Sequence, residues 1–311
     1  MEHHLLSVGS EALRKAAMND DAKNYILNNP TLFRVLKKAA DRYIGGENLV
    51  ETISKVLIQN ENDFKCSIEY MGENTDTVQE ASEATQEFIR IAKEIKNKKL
   101  DATISLDLSH VGLAISKDLC FENLSKICEE AEDIEVTISA EGIDRTDDVI
   151  HTYKKATKQF GNLSITMQAY LYRSKDDFKE LLAEKGRIRI VKGAFETPKN
   201  QSIPRGKELD DIYLDYVDQL LAKNHQCSIA THHDVIQQEA KKLIDHYKPT
   251  HEMYEFESLY GIQTEQLTTL KKEGYNTKLY FVYGEEWYLY LCNRIAEYPL
   301  NLFRALSDIV N

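Results

Sequence analysis

Residues 164–192, SITMQAYLYRSKDDFKELLAEKGRIRIVK, decide the reading of the fold. Two short runs, 164–170 and 188–192, enclose a polar stretch, 175–184, that has the spacing of an amphipathic helix. A strand, a helix and a second strand in that order imply a crossover connection and a parallel sheet. Working outward, the same alternation recurs along the chain, with strands expected at 65–71, 103–108, 135–140, 227–230, 253–256 and 278–282 as well. Helical patterns lie between them, for example at 77–96, 147–160 and 210–222, several opened by an Asp, Ser or Thr suited to cap a first turn. Eight such units close into an α/β fold, a (βα)8 barrel of the TIM type. An open doubly wound sheet is the alternative, but no Gly-x-Gly-x-x-Gly follows the first strand, as a nucleotide crossing of that kind would need.

Residues 1–60 read as an N-terminal helical lead-in, with Leu32, Val35, Leu36, Ala39 and Tyr43 at spacings of three and four; residues 61–311 hold the barrel and its chemistry. The 311 residues suit a single barrel of this kind. No apolar run approaches the ~20 residues of a membrane span. The start Met1-Glu2-His3-His4 has no basic segment followed by an apolar one, so the expected location is the cytoplasm. A net charge of -12 argues against a nucleic-acid partner, which needs clustered Lys and Arg. Membrane contact is expected to be peripheral at most, at the inner face. The five cysteines never fall in a Cys-x-x-Cys spacing, so reduced and mostly buried thiols are expected, with no metal centre.

In such a barrel the chemistry sits where strands end. The expected tips are Glu73, Asp107, residues 139–141, Gln168, Lys192-Gly193, Thr231-His232, Glu255 and Tyr280, an unusually polar set. Arg189 and Lys192 interrupt an otherwise apolar strand, and such cations need an anion or an electron-rich cofactor to answer them. An internal ion pair with a carboxylate such as Glu255 is the plainer explanation. Adjacent imidazoles at His232 and His233 point to different faces, which favours one ring at the site and one at the surface over a metal pair. Tyr290, Arg294 and Glu297 share one helix face, where Arg294 and Glu297 can also form a simple surface ion pair.

Five segments in order, Gln168-Ala-Tyr-Leu-Tyr-Arg-Ser174, Arg189-Ile-Val-Lys-Gly-Ala-Phe195, Ala230-Thr-His232, Glu255-Phe-Glu-Ser-Leu-Tyr-Gly261 and the stretch 290–297, resemble the proline dehydrogenase family over roughly residues 65–305. The resemblance implies FAD in a (βα)8 barrel and oxidation of a small cyclic amino acid, as in proline catabolism. It implies that Ala140, Gln168, Arg189, Val191, Lys192, Gly193, Thr231 and His232 line the FAD. Arg189, Ser139 and Tyr280 would stand at the reacting end, with Asp107, Leu259, Tyr280, Asn293, Arg294 and Glu297 around the substrate. A fixed charge at Arg189 favours the anionic reduced ring, and Gly193 lets the backbone approach it. A quinone is the implied electron acceptor.

The chain departs from the family on the substrate side. Asn293-Arg294 replaces two consecutive arginines, Asp107 replaces a lysine and Ser139 replaces an aspartate. Summing formal charges, the family's set comes to about +2 and this chain's to about 0. The sum points to a weaker grip on a carboxylate, to Asp107 and Arg294 as a new pair, and to an altered substrate, such as a modified proline or another cyclic amine in a biosynthetic route. A barrel that binds FAD or a metabolite as a regulator, without catalysis, is the third reading.

Overall fold

Lys65–Tyr70 (β1), Ala102–Leu106 (β2), Val136–Ile138 (β3), Leu163–Gln168 (β4), Ile188–Val191 (β5), Cys227–Ala230 (β6), Tyr254–Leu259 (β7) and Thr277–Tyr283 (β8) make up the sheet in the computed structural model. All eight run parallel in chain order, and β8 pairs back onto β1 from Lys65↔Lys278 to Tyr70↔Tyr283. The expected barrel is therefore closed. The structure describes residues 19–72 and 74–297, together with Val8, Ala12, Lys15 and Ser307. Glu73 and the side chain of Glu297 fall outside the described set.

Alternation along each strand sorts the side chains. Ile68, Ile104, Ile138, Ile165, Ile188, Ile190, Ile229, Phe256 and Leu279 join one apolar cluster with helix residues such as Phe88, Ile91, Leu124 and Val217. The alternate positions turn inward, where Ser105, Ser139, Thr166, Arg189, Glu255, Glu257 and Lys278 bond to one another within the barrel. Barrel interiors are usually filled by branched apolar residues, so this one is unusually polar. That polarity explains why the seventh strand runs to Leu259 rather than stopping at Phe256: Glu257 is an inward position, not a turn residue. The third strand is shorter than expected because after Ile138 the chain makes one last bond, Ser139 N to Leu106 O, and turns away.

Local signals set the helices. Val78–Lys98 opens on Thr77, whose side chain accepts from the Glu80 backbone N–H while the Glu80 carboxylate accepts from that of Thr77, a reciprocal cap. Trp287–Glu297 packs its apolar face on the lead-in: Trp287, Tyr288, Leu291 and Ile295 cluster with Ala39, Ala40, Tyr43 and Ile44, and the Phe33 ring meets Trp287 edge-on at 5.4 Å. Gly45 N donates to Val282 O at 2.7 Å, tying the lead-in to the end of β8. Residues before the barrel thus brace the helix that carries Asn293 and Arg294. All five cysteines are buried free thiols. Among the described residues, no helix is long and apolar enough to cross a membrane.

Candidate active site

A cavity of about 730 Å³ opens at the C-terminal ends of the strands, within the size range of small-molecule and cofactor sites. The barrel brings together at its wall nearly every residue singled out from the sequence: Asp107, Ser139, Ala140, Gln168, Arg189, Val191, Lys192, Gly193, Thr231, His232, Leu259, Tyr280, Asn293 and Arg294. Glu255 does not belong with them. As the second residue of β7 it lies near the opposite end of the barrel, where it accepts from Lys278 at 2.5 Å and from the Ser228 hydroxyl. Burial alone would raise its proton affinity, but Lys278, Arg187 and Lys65 outweigh that and hold it ionised.

Arg189 is the hub of the cavity floor. Its Nε donates to Thr166 Oγ1 at 2.8 Å, Nη1 to Glu257 Oε1 at 3.1 Å, and Nη2 to Ser105 Oγ and Ser139 Oγ at 3.2 Å each. Its guanidinium carbon stands 5.0 Å from the centre of the Tyr280 ring. The carboxylate partner is therefore Glu257, not Glu255. Burial works against the charge on Arg189, yet Glu257, Tyr280 and Glu69 more than offset it. The result is a cation of fixed position and orientation at the cavity wall.

Glu69, on β1, was not among the sequence candidates, and it joins two of them. Its Oε2 accepts from Ser139 Oγ at 2.9 Å and from the Tyr280 hydroxyl. Burial and the Glu69 charge push the Tyr280 phenol well above its ordinary value, so it remains a donor. The alternation of Lys65, Ser67 and Glu69 in an otherwise apolar strand was the available signal for an inward carboxylate, as was that of Glu255 and Glu257 in β7.

Asp107 reaches the cavity from the tip of β2. Burial first, then the charges of Glu69 and Glu141, push its carboxyl well above the usual range, against the opposing pull of Arg189 and the Ser139 hydroxyl. Arg294 stacks on Tyr290, 5.0 Å from the ring centre, and lines the cavity with Asn293.

The opposite wall carries Gln168, Lys192, Gly193, Thr231 and His232. Gln168 Nε2 donates to the Glu141 carbonyl at 2.9 Å, which fixes its amide. Lys192 Nζ pairs with Asp210 at 2.5 Å and lies 3.0 Å from His233 Nδ1. Both histidines line the cavity and both are half-buried: His232 accepts on Nε2 from Leu259 N at 3.0 Å, and His233 lies beside Asp210, so the expected split between site and surface is not seen. Burial, and then the nearby Arg294 charge, lower His232 to about 4, so its ring is neutral with the proton on Nδ1. Gly193 has φ +111°, and a Cβ there would meet the Tyr170 ring at 2.1 Å. Its glycine is thus required by the Tyr170 packing, a reason additional to any approach of a ligand.

The sequence model of the proline dehydrogenase family matches residues 52–298. The chain is similar to proline dehydrogenase 2 of Bacillus subtilis (strain 168), 32% identical over 273 residues that span 87% of this chain and 90% of that protein. It is 28% identical to the proline dehydrogenase of Deinococcus radiodurans over 269 residues, 84% of this chain and 87% of that one. Among solved structures, proline utilization A from Bdellovibrio bacteriovorus superposes with a TM-score of 0.80 at 17% identity. That match covers 96% of this chain but 37% of the larger protein, and bears on the fold alone.

Proposed function

The chain belongs to the proline dehydrogenase family, and from that premise we propose that it is an FAD-dependent oxidoreductase acting on the CH–NH group of L-proline or a closely related cyclic secondary amine, which leaves as a cyclic imine. The observation that carries the reading is Arg189, a buried cation held by four side chains, from β2, β4, β7 and the segment after β3, and facing a cavity of cofactor size.

The residues present suit the cofactor. The cavity offers a guanidinium, an ammonium and an amide donor at Arg189, Lys192 and Gln168, beside the apolar edges of Val191 and Leu259, the donor set a polar-rimmed flat ring requires. Ala140, Gly193, Thr231 and His232 would complete its seat. When bound, FAD would supply the hydride acceptor at its N5.

The protein's own part is to bind, orient and exclude water. Arg294, with Asn293 beside it, would take the substrate carboxylate; a single guanidinium still allows a two-pronged grip. Tyr280 and Leu259 would hold the ring, and Tyr280 cannot tilt freely because its hydroxyl is bound to Glu69. Ser139 holds both Glu69 and Arg189 in place, a positioning role. Glu297, at the end of the same helix as Arg294, would contribute to the substrate side. Removing hydride from carbon requires an unshared pair on the adjacent nitrogen, so the amine must react unprotonated, and enclosure favours the neutral form. For reoxidation we take a quinone, met by peripheral contact at the inner face of the membrane, with the family resemblance as its support.

The test is spectroscopic. Purified protein should carry the yellow absorbance of oxidised flavin and lose it anaerobically with L-proline, and with hydroxyproline or pipecolate to a lesser degree. A colourless protein that cannot be loaded with FAD would end this reading, and a yellow one that no cyclic amine bleaches would leave the regulator.

A further inference from the structure

Among the described residues, four acids border the cavity: Glu69, Asp107, Glu257 and Glu286. Glu257 is taken by Arg189 at 3.1 Å and Lys278 at 3.0 Å, and Glu286 by Lys23 at 2.6 Å. Glu69, buried on β1, makes no ion pair with any described residue, and its hydrogen bonds arrive on one oxygen only. The Ser139 and Tyr280 hydroxyls each carry a single proton, and both give it to Oε2. Oε1 accepts from no described residue and remains accessible from the cavity. A carboxylate offers about four acceptor sites, so about half of this one's capacity is unused. Position adds to this. Tyr280 is the side chain against which the substrate ring would pack, and its hydroxyl is bound to Glu69, so the unused oxygen is fixed next to that ring's place. Asp107, half-buried on the same wall, has no bond to Tyr280.

We propose that Glu69 binds the substrate nitrogen, its Oε1 accepting a hydrogen bond from the N–H while Arg294 takes the carboxylate. The proposal rests on the reading of this cavity as the pocket of a cyclic amino acid oxidoreductase, and names the group that recognises the amine. A neutral secondary amine has one N–H, so this bond leaves the lone pair free. When hydride leaves the adjacent carbon for the flavin with its electron pair, the lone pair forms the second C–N bond, the N–H stays, and the nitrogen becomes cationic. An anion fixed beside it answers that charge as it develops. The favoured substrate class is therefore a ring that carries both a carboxylate and an N–H.

The test compares L-proline with tetrahydrofuran-2-carboxylate, which has the same ring and carboxylate but an ether oxygen in place of the nitrogen. Both are titrated by anaerobic calorimetry at pH 7 into the flavin-loaded full chain, reduced beforehand with dithionite so that neither reacts. In Glu69→Gln the amide oxygen still accepts from Ser139 and Tyr280, but an NH2 group replaces Oε1. The proline-to-ether affinity ratio should fall at least about tenfold, with the ether bound no more weakly than by wild type. An equal loss for both ligands would show a merely structural role and overturn the proposal, as would unchanged binding of L-proline. Asp107→Asn is the control and should alter the ratio by less than about threefold; a larger change there than in Glu69→Gln would give the amine to Asp107 instead. Should Glu69→Gln fail to fold or to hold flavin, Glu69→Asp decides. Its carboxylate is one methylene shorter, so the ratio should fall at least about threefold, and an unchanged ratio would overturn the proposal. Bleaching of the oxidised wild type by L-proline tests the underlying function separately: no bleaching ends that reading, whereas bleaching with an unchanged ratio in the variants ends only this one.

Discussion

Arg189 on β5 and Glu257 on β7 form an ion pair at 3.1 Å, and β6 lies between their strands in the sheet. The bond therefore runs through the barrel interior rather than along a strand edge. Glu257 has a second cation, since Lys278 Nζ stands 3.0 Å from its Oε2, near enough for an ion pair though not aligned as a hydrogen bond. One carboxylate thus couples the cavity floor to the buried Lys278–Glu255 pair beneath it.

Replacing Glu257 by Ala strips the buried Arg189 of its ion-pair partner, while Lys278 keeps Glu255. The expected loss of stability is about 3–5 kcal/mol, the scale for removing one partner of a buried pair. Glu257→Gln should cost less, because the amide oxygen still accepts from Arg189. Denaturant midpoints of the two variants check this, and equal midpoints for Ala and wild type would contradict it.

Arg189→Lys keeps a charge but not the fork that reaches Thr166, Glu257, Ser105 and Ser139 together. Anaerobic flavin reduction by L-proline should slow by about 10²–10³, the scale for losing one preorganised electrostatic contact. Stopped-flow rates at saturating substrate separate this from weaker binding.

His232 gives an acid dependence of definite sign. Its folded value, about 4, lies below the ordinary 6.5, so the unfolded chain takes up the proton first. Its contribution is complete above pH 6.5 and is lost as pH falls toward 4, a change of about 3 kcal/mol at most. Asp107 acts oppositely, since its raised value makes lower pH favour the folded state. The difference between wild type and His232→Asn isolates the histidine: on going from pH 7 to pH 5, wild type should lose more stability than the variant.

Gly193→Ala forces a Cβ into the Tyr170 ring at a φ that L residues avoid. A cost of at least about 1–2 kcal/mol follows from the backbone alone. Because Gly193 lines the cavity, bound flavin per chain should also fall. Gly193→Ala combined with Tyr170→Leu should recover part of the melting temperature, since that variant relieves the clash but not the φ.

Much of the site was legible because it is written in local rules. Gln168, Lys192 and Thr231 end runs with strand character, and in a barrel strand ends converge on one face; Tyr280, expected at a tip, lies instead in the middle of β8. Glu69 and Glu257 escaped notice because both sit inside a strand rather than at its tip, where an apolar interior was the default assumption.

Period-two alternation and amphipathic helices belong to contiguous residues, so the amino-acid sequence by itself determined the eight strand–helix units, their parallel order and the closed barrel. Barrel closure alone decided that Glu69 meets Ser139, 70 positions away, that Arg189 chooses Glu257 over Glu255, and that Asp107 is crowded by like charges. Charge state and pairing depend on distance through space and on burial, and both come into existence when β8 docks on β1.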